Sequence, residues 1–174
     1  MHTASSRRFL DVRDKALLAF LLDCGGRASE VLSLDLTDVD LNTGTAALRK
    51  GKGGKSRVLY FSAFTSRLLA KYMRLLVGPG ALWRTDEGSR LAYAGLRAVL
   101  CKRARMAGID VPGAHAFRRA FALLSLKAGV DVLTLSRLLG HTNLATVARY
   151  VRQSTQDLQA ARPDIGALLR RGRQ

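Results

Sequence analysis

Cysteines and long apolar runs are both scarce in this sequence. The two cysteines, Cys24 and Cys101, form no CxxC pair and show no metal-ligand spacing, so both are predicted to be free, buried thiols. The longest apolar stretches, such as residues 16–22, are short and helical in pattern, which predicts neither a signal peptide nor a membrane span. We therefore expect a cytoplasmic protein that contacts no membrane.

Acidic residues are scarce too, at 13 against 29 lysines and arginines in 174 residues, which gives a formal net charge of +16. Solubility needs far less charge, and such a field attracts a polyanion with many phosphates. Because 48% of the residues are hydrophobic, the chain can bury the core of one domain, which argues against a generically basic protein such as a ribosomal component. Nucleic acid is the predicted partner, and the nucleoid is the predicted location within the cytoplasm.

The few carboxylates offer no convincing metal site. Asp35, Asp38 and Asp40 would suit the divalent cation of a nuclease, but their position at a helix end and a turn favours capping and solvation. No metal and no cofactor is therefore expected.

Hydrophobic periodicity predicts a mainly α-helical domain with one small antiparallel β-sheet, formed as a hairpin. A short helix is predicted to begin at Arg27, and a loop is predicted over residues 83–90. The other predicted helices span residues 12–23, 63–76, 92–107, 116–128, 132–139 and 144–151. Two strands, at residues 45–49 and 58–61, flank a glycine-rich turn at residues 51–55.

Two histidines, an arginine and a tyrosine follow one another in an order that suits phosphoryl transfer. His115 and Arg118 are three residues apart, so a helix projects both from one side toward a single phosphate. His141 follows in a Leu-Gly-His run, and Tyr150, nine positions later, supplies an oxygen nucleophile. An H-x-x-R pair alone is weak, but two of the three histidines of the chain fall in this stretch.

Lys52 is a separate candidate for proton transfer. The chain has 22 arginines and only seven lysines, yet Lys50, Lys52 and Lys55 lie together on the predicted hairpin turn. A lysine can shift its pKa and deliver a proton, whereas an arginine is a fixed charge. The neighbouring Arg49 and Arg57 fit phosphate contacts.

Together these motifs resemble the tyrosine recombinases, also called lambda-type integrases, which include the bacterial Xer recombinases. Residues 25–31 (Gly-Gly-Arg-Ala-Ser-Glu-Val) resemble the first box of that family, residues 51–55 its lysine hairpin, and residues 115–118 its H-x-L-R box. Residues 139–141 match its L-G-H box, and the whole resemblance covers about residues 11–152. It implies catalytic roles for Arg27, Lys52, His115, Arg118, His141 and Tyr150, with Glu30 supporting Arg27.

The resemblance also implies the chemistry. DNA would be cut and rejoined through a 3′-phosphotyrosyl intermediate, without metal or ATP, with Arg27 and Arg118 on the phosphate oxygens and Lys52 as general acid. Further candidate DNA contacts are Arg49, Lys50, Lys55, Arg57 and Arg119. Two other readings stay open: a type IB topoisomerase-like enzyme that relaxes DNA, and a catalytically idle DNA-binding module of the same fold.

The resemblance has departures and further implications. Arg119 stands where many members have a second histidine, and Gly26 where many have leucine. About 26 residues precede Arg27, so the N-terminal core-binding domain of the family is expected to be absent, through either excision or a naturally short chain. Residues 1–153 are predicted to form the catalytic domain, and residues 154–174 a tail that docks in trans. The predicted partner is double-stranded DNA. The chain is expected to be a monomer without DNA and to form a homotetramer on paired DNA sites.

Overall fold

The computed structural model describes residues 4–49 and 56–140, and side chains from residue 6 onward. The helices, in chain order, are α1 (Ala4–Cys24), α2 (Ala28–Ser33), α3 (Ala63–Met73), α4 (Tyr93–Ala107), α5 (Ala114–Lys127) and α6 (Val132–Leu139). The strands, β1 (Val39–Asp40), β2 (Thr45–Leu48) and β3 (Arg57–Tyr60), all lie between α2 and α3. The predicted fold class, mainly α-helical with a small antiparallel sheet, is confirmed. Within this part of the chain, no helix is both long and apolar enough to span a bilayer.

The sheet contains the predicted hairpin and one strand more. Its order is β1-β2-β3, both pairs are antiparallel, and Ala46 lies opposite Val39 on one side and Leu59 on the other. β1 has only two residues, which is too short for a period-of-two pattern to reveal it. The predicted glycine-rich turn lies outside the described residues.

The core is built around α1, which packs against α3, α5 and β3. Phe20 is fully buried, and its ring lies edge-on to Trp83, at 5.9 Å between centroids. Trp83 in turn stacks on Tyr72 at 5.5 Å, with the ring planes only 9° apart. Residues 83–90 form no helix or strand, as predicted, but Trp83 itself is 0% exposed. This loop therefore supplies the largest side chain of the core.

Two helices begin earlier than the apolar pattern predicts. α1 begins at Ala4, whereas the apolar pattern predicts residue 12. The pattern misses the first turns because Arg7 and Arg8 interrupt the apolar residues there, although Phe9 still packs on Tyr72, at 5.7 Å between ring centroids. α5 begins at Ala114 and not at residue 116, which brings His115 into its first turn.

An acidic pair on α1 holds α4 in place. Asp14 is 1% exposed, and it accepts hydrogen bonds from Arg13 at 2.7 Å and from Arg103 at 2.9 Å. Arg103 also donates to Asp11 at 2.7 Å. Arg103 therefore joins α4 to α1 through charged hydrogen bonds, although its charge alone would predict a solvent-exposed cation.

Candidate active site

Arg27 is the N-cap residue that precedes α2, and Glu30 binds it there. The Arg27 backbone N–H donates to Glu30 Oε2 at 2.7 Å, and Arg27 Nη1 donates to Glu30 Oε1 at 2.9 Å. A carboxylate three residues into a helix satisfies an N–H that has no partner within the helix, which explains a glutamate at this position. The Arg27 side chain remains 38% exposed, so its guanidinium is both oriented and reachable.

A second arginine binds the same carboxylate. Arg57 Nη2 donates to Glu30 Oε2 at 2.6 Å, and Arg57 Nη1 donates to the Leu138 carbonyl at 2.8 Å. The Arg57 side chain is only 17% exposed. Predicted as a DNA contact, Arg57 is instead turned into the protein, because strand alternation places it on the same face as the buried Leu59.

Glu30 is ionised in this setting. Its burial favours the neutral acid, but the hydrogen bonds from Arg57 and from the Arg27 backbone, together with the charge of Arg57, outweigh burial and hold the pKa of Glu30 below its usual range. Its negative charge at neutral pH is what allows one carboxylate to organise two arginines.

Arg118 occupies the interior of the site. It is 1% exposed, and it donates from Nη1 to the Gly25 carbonyl and from Nη2 to the Leu139 carbonyl, both at 2.7 Å. His115 and Arg119, on the same helix, are exposed. The structure thus places His115 and Arg118 in the first half of α5, and of the two only His115 faces solvent.

The end of α6 accepts hydrogen bonds from both Arg57 and Arg118. Leu138 and Leu139 are its last two residues, and Gly140, with φ of +62°, ends it in the left-handed conformation. Terminal helix carbonyls lack partners within the helix and carry partial negative charge, so guanidinium groups bind them favourably. Arg57 and Arg118 therefore link the end of α6, just before His141, to the segment from Gly25 to Glu30.

The remaining candidates divide into two groups. Arg49 is well exposed, with 69% of its side chain accessible, and pairs with Asp38 at 2.6 Å. Five others lie outside the described residues: Lys50, Lys52, Lys55, His141 and Tyr150. Among residues 4–49 and 56–140, no three His, Cys, Asp or Glu side chains are grouped to hold a metal ion.

The thiol nearest to Arg27 in the sequence is not a competing nucleophile. Burial raises the pKa of Cys24 to about 12, so the thiol is protonated at neutral pH. Its sulfur accepts a hydrogen bond from the Gly26 N–H at 3.3 Å, which fits a packing role. Cys24 is a free, buried thiol as predicted, whereas Cys101 is only partly buried.

Comparison with known proteins gives a consistent picture. Residues 1–157 match the model of the phage integrase family. The chain is 37% identical over 147 residues to tyrosine recombinase XerA of Saccharolobus solfataricus, covering 84% of this chain and 48% of that protein. It is 36% identical over 156 residues to tyrosine recombinase XerC 2 of Ralstonia nicotianae, covering 86% of this chain and 45% of that protein. The chain thus spans about half the length of these relatives.

Solved structures agree with the fold. The crystal structure of XerA recombinase superposes with a TM-score of 0.76 at 22% identity, over 94% of this chain and 63% of that one. XerH site-specific recombinase bound to a palindromic difH substrate, in a post-cleavage complex, gives a TM-score of 0.71 at 28% identity, over 92% of this chain and 51% of that one. With the family model matched over residues 1–157, the chain belongs to the phage integrase family, the tyrosine recombinases.

Proposed function

We propose that this chain is the catalytic domain of a site-specific DNA recombinase that cuts and rejoins double-stranded DNA through a phosphotyrosine link. One observation supports this most: the hydrogen bond from Arg118 to the Gly25 carbonyl brings together two sequence boxes that are 93 residues apart. It sets a buried arginine beside the segment that carries Arg27. Two arginines at one place are what a phosphodiester with developing charge on its oxygens requires.

Arg27 and Arg118 differ in how far their side chains are exposed in the absence of DNA. Arg27 is partly exposed and held by Glu30, so its planar fork can meet the nonbridging oxygens of a phosphate directly. Arg118 is 1% exposed, so a phosphate reaches it only after the groups that cover it move. We therefore assign first contact with the phosphate to Arg27, and charge stabilisation in the transition state to both.

The proposed reaction is a transesterification. The Tyr150 oxygen attacks the phosphorus, its proton passes to a histidine, His115 or His141, and the bond from phosphorus to the 5′-oxygen breaks. Lys52 gives its proton to that leaving oxygen, which departs as a 5′-hydroxyl. The phosphotyrosyl ester retains the bond energy, so a 5′-hydroxyl of another strand reverses the step without ATP.

The assembly around this domain is part of the proposal. We propose that residues 1–153 form the catalytic domain, that it is monomeric without DNA, and that residues 154–174 dock on a neighbour when four copies assemble on paired sites. Arg49, Lys50, Lys55 and Arg119 are assigned to the DNA backbone. Binding by this chain alone should be salt-sensitive, since phosphate contacts release counterions.

Tyr150→Phe tests the nucleophile. The protein is incubated with nicked suicide duplexes that carry a randomised central segment, and covalent adducts are resolved on a denaturing gel and sequenced. The wild-type chain should form an adduct and Tyr150→Phe should form none, because a phenyl ring has no oxygen to attack. Tyr60→Phe and Tyr93→Phe are matched controls, since both residues are exposed tyrosines of the same chain, at 56% and 53%; both variants should keep the adduct.

The outcomes separate the alternatives. An unchanged adduct in Tyr150→Phe would remove Tyr150 from the mechanism. No adduct from the wild-type chain, with DNA binding intact, would favour an idle DNA-binding module. Relaxation of supercoiled plasmid by the monomer, with no strand exchange between duplexes, would favour a topoisomerase.

A further inference from the structure

Arg57, like Arg118, binds two other parts of the site at once. Its side chain leaves β3, pairs with Glu30 at 2.6 Å and reaches the Leu138 carbonyl at 2.8 Å, across separations of 27 and 81 residues. Its stem also packs against Gly140, where an added Cβ would lie 2.8 Å from Arg57 Cδ. Arg57 thus fills the space between the Arg27–Glu30 pair and the end of α6.

We propose that Arg57 is a positioning residue, which holds Arg27 and the chain entering His141 in a fixed relation. The proposal rests on the proposed function, since it concerns the same reaction. Arg57 orients Arg27 through the shared carboxylate of Glu30. It also fixes the last turn of α6 through the carbonyl of Leu138, two residues before Gly140. It does not touch the phosphate.

The chemistry of the contact requires an arginine. Two different nitrogens of the planar Arg57 fork meet the Leu138 carbonyl and the Glu30 carboxylate, whereas a lysine offers all its donors from a single nitrogen. Arg57→Lys therefore keeps the charge and loses one of the two bonds. A DNA contact shows the opposite behaviour, because a lysine still pairs with a phosphate.

The test separates these roles in one set of measurements. Adduct formation is measured in single turnover at saturating nicked DNA, and the DNA dissociation constant is measured over a salt series. For Arg57→Lys we expect adduct formation to fall roughly tenfold to a hundredfold, the usual effect of removing a partner that orients a functional group. The dissociation constant and its salt slope should stay at the wild-type values. Arg67→Lys, at an exposed position of α3, is the matched control and should change neither quantity.

Each result decides something. Arg57→Lys with a wild-type adduct rate would overturn the positioning role. So would an equal loss of binding and adduct formation, which is what general unfolding or a DNA contact produces. If the wild-type chain itself forms no adduct, the proposed function fails and this role fails with it, whereas a wild-type adduct together with a normal Arg57→Lys removes this role alone.

Discussion

Glu30→Gln is the substitution that most directly tests how the site is held together. Glu30 accepts three hydrogen bonds, from the Arg27 backbone, the Arg27 side chain and Arg57, at 2.6–2.9 Å. A glutamine has nearly the same shape, but it has one acceptor oxygen and turns an NH₂ group toward guanidinium donors. The substitution therefore removes the charge and at least one hydrogen bond while leaving the packing intact.

The expected cost follows from the burial of these groups. A net hydrogen bond to a charged group contributes about 1.5–3 kcal/mol, and breaking a fully buried ion pair costs about 3–5 kcal/mol. Because Arg27 is 38% exposed, water screens part of its attraction to Glu30, and the lower end applies. We expect a loss of about 2 kcal/mol in the free energy of unfolding at pH 7, equivalent to roughly 4–8 °C in Tm for a chain of this size.

The pH dependence of this loss has a defined sign. The pKa of Glu30 is lowered in the folded chain, so its contribution to stability is complete above the ordinary glutamate pKa of about 4.3. It is lost as the pH falls through the lowered value, where the wild-type side chain becomes neutral like the glutamine. The difference between wild type and Glu30→Gln should therefore shrink below about pH 4.3.

Urea unfolding at pH 7 and at several acidic pH values measures this difference. Glu87→Gln is the matched control, because Glu87 is the only other glutamate of the chain and lies exposed in the loop after Trp83; it should change stability by less than about 0.5 kcal/mol. A Glu30→Gln variant as stable as this control at pH 7 would refute the reasoning. A difference that stays constant from pH 7 into the acid range would show that the charge is not its cause.

Two further predictions concern the turn before α2 and the general acid. Gly25 has φ of +59°, and an added Cβ would lie 2.3 Å from the Phe121 ring, so Gly25→Ala should cost more than about 2 kcal/mol in urea unfolding. Gly108→Ala, at φ of +65° with open space around it, should cost only about 1 kcal/mol, and equal losses would remove the steric argument. Lys52→Ala should lose cleavage of ordinary DNA but regain it with a 5′-bridging sulfur, whose thiolate leaves without a proton. Lys71→Ala is its control, and a failure of the sulfur substrate to restore cleavage would count against Lys52 as the acid.

The sequence predicts the bounds of a helix correctly where the residues at both ends have a definite backbone role. α6 runs from Val132 to Leu139, as predicted, because Asp131 accepts hydrogen bonds from the Leu133 and Thr134 N–H groups and Gly140 ends the helix at positive φ. Both signals are readable in the sequence. α3, by contrast, ends at Met73 and not at residue 76, because the chain tightens into three-residue turns while its apolar spacing continues.

The polar contacts of the site were only partly predictable. The Arg27–Glu30 pair is local, and its spacing of one helical turn made it visible in the sequence. The partners of Arg57 and Arg118 are separated from them by 21 to 93 residues, and no periodicity encodes such pairs. One signal was nevertheless present: Arg57 and Leu59 are two residues apart on β3 and so share a face, and an apolar residue at that spacing indicates an inward face.

The few acidic residues bear on where individual arginines are held as well as on the net charge. Five of the eleven acids in the described residues pair with arginines within or between elements: Asp11, Asp14, Glu30, Asp35 and Asp38. Each pair fixes an arginine at a chosen place, and because acids are few, they do not neutralise the outer charge. A net charge of +16 thus predicts a polyanionic partner, but it does not identify which arginines meet the partner. Burial and strand register make that distinction, and they assign Arg27 to the open side of the site and Arg57 to its interior.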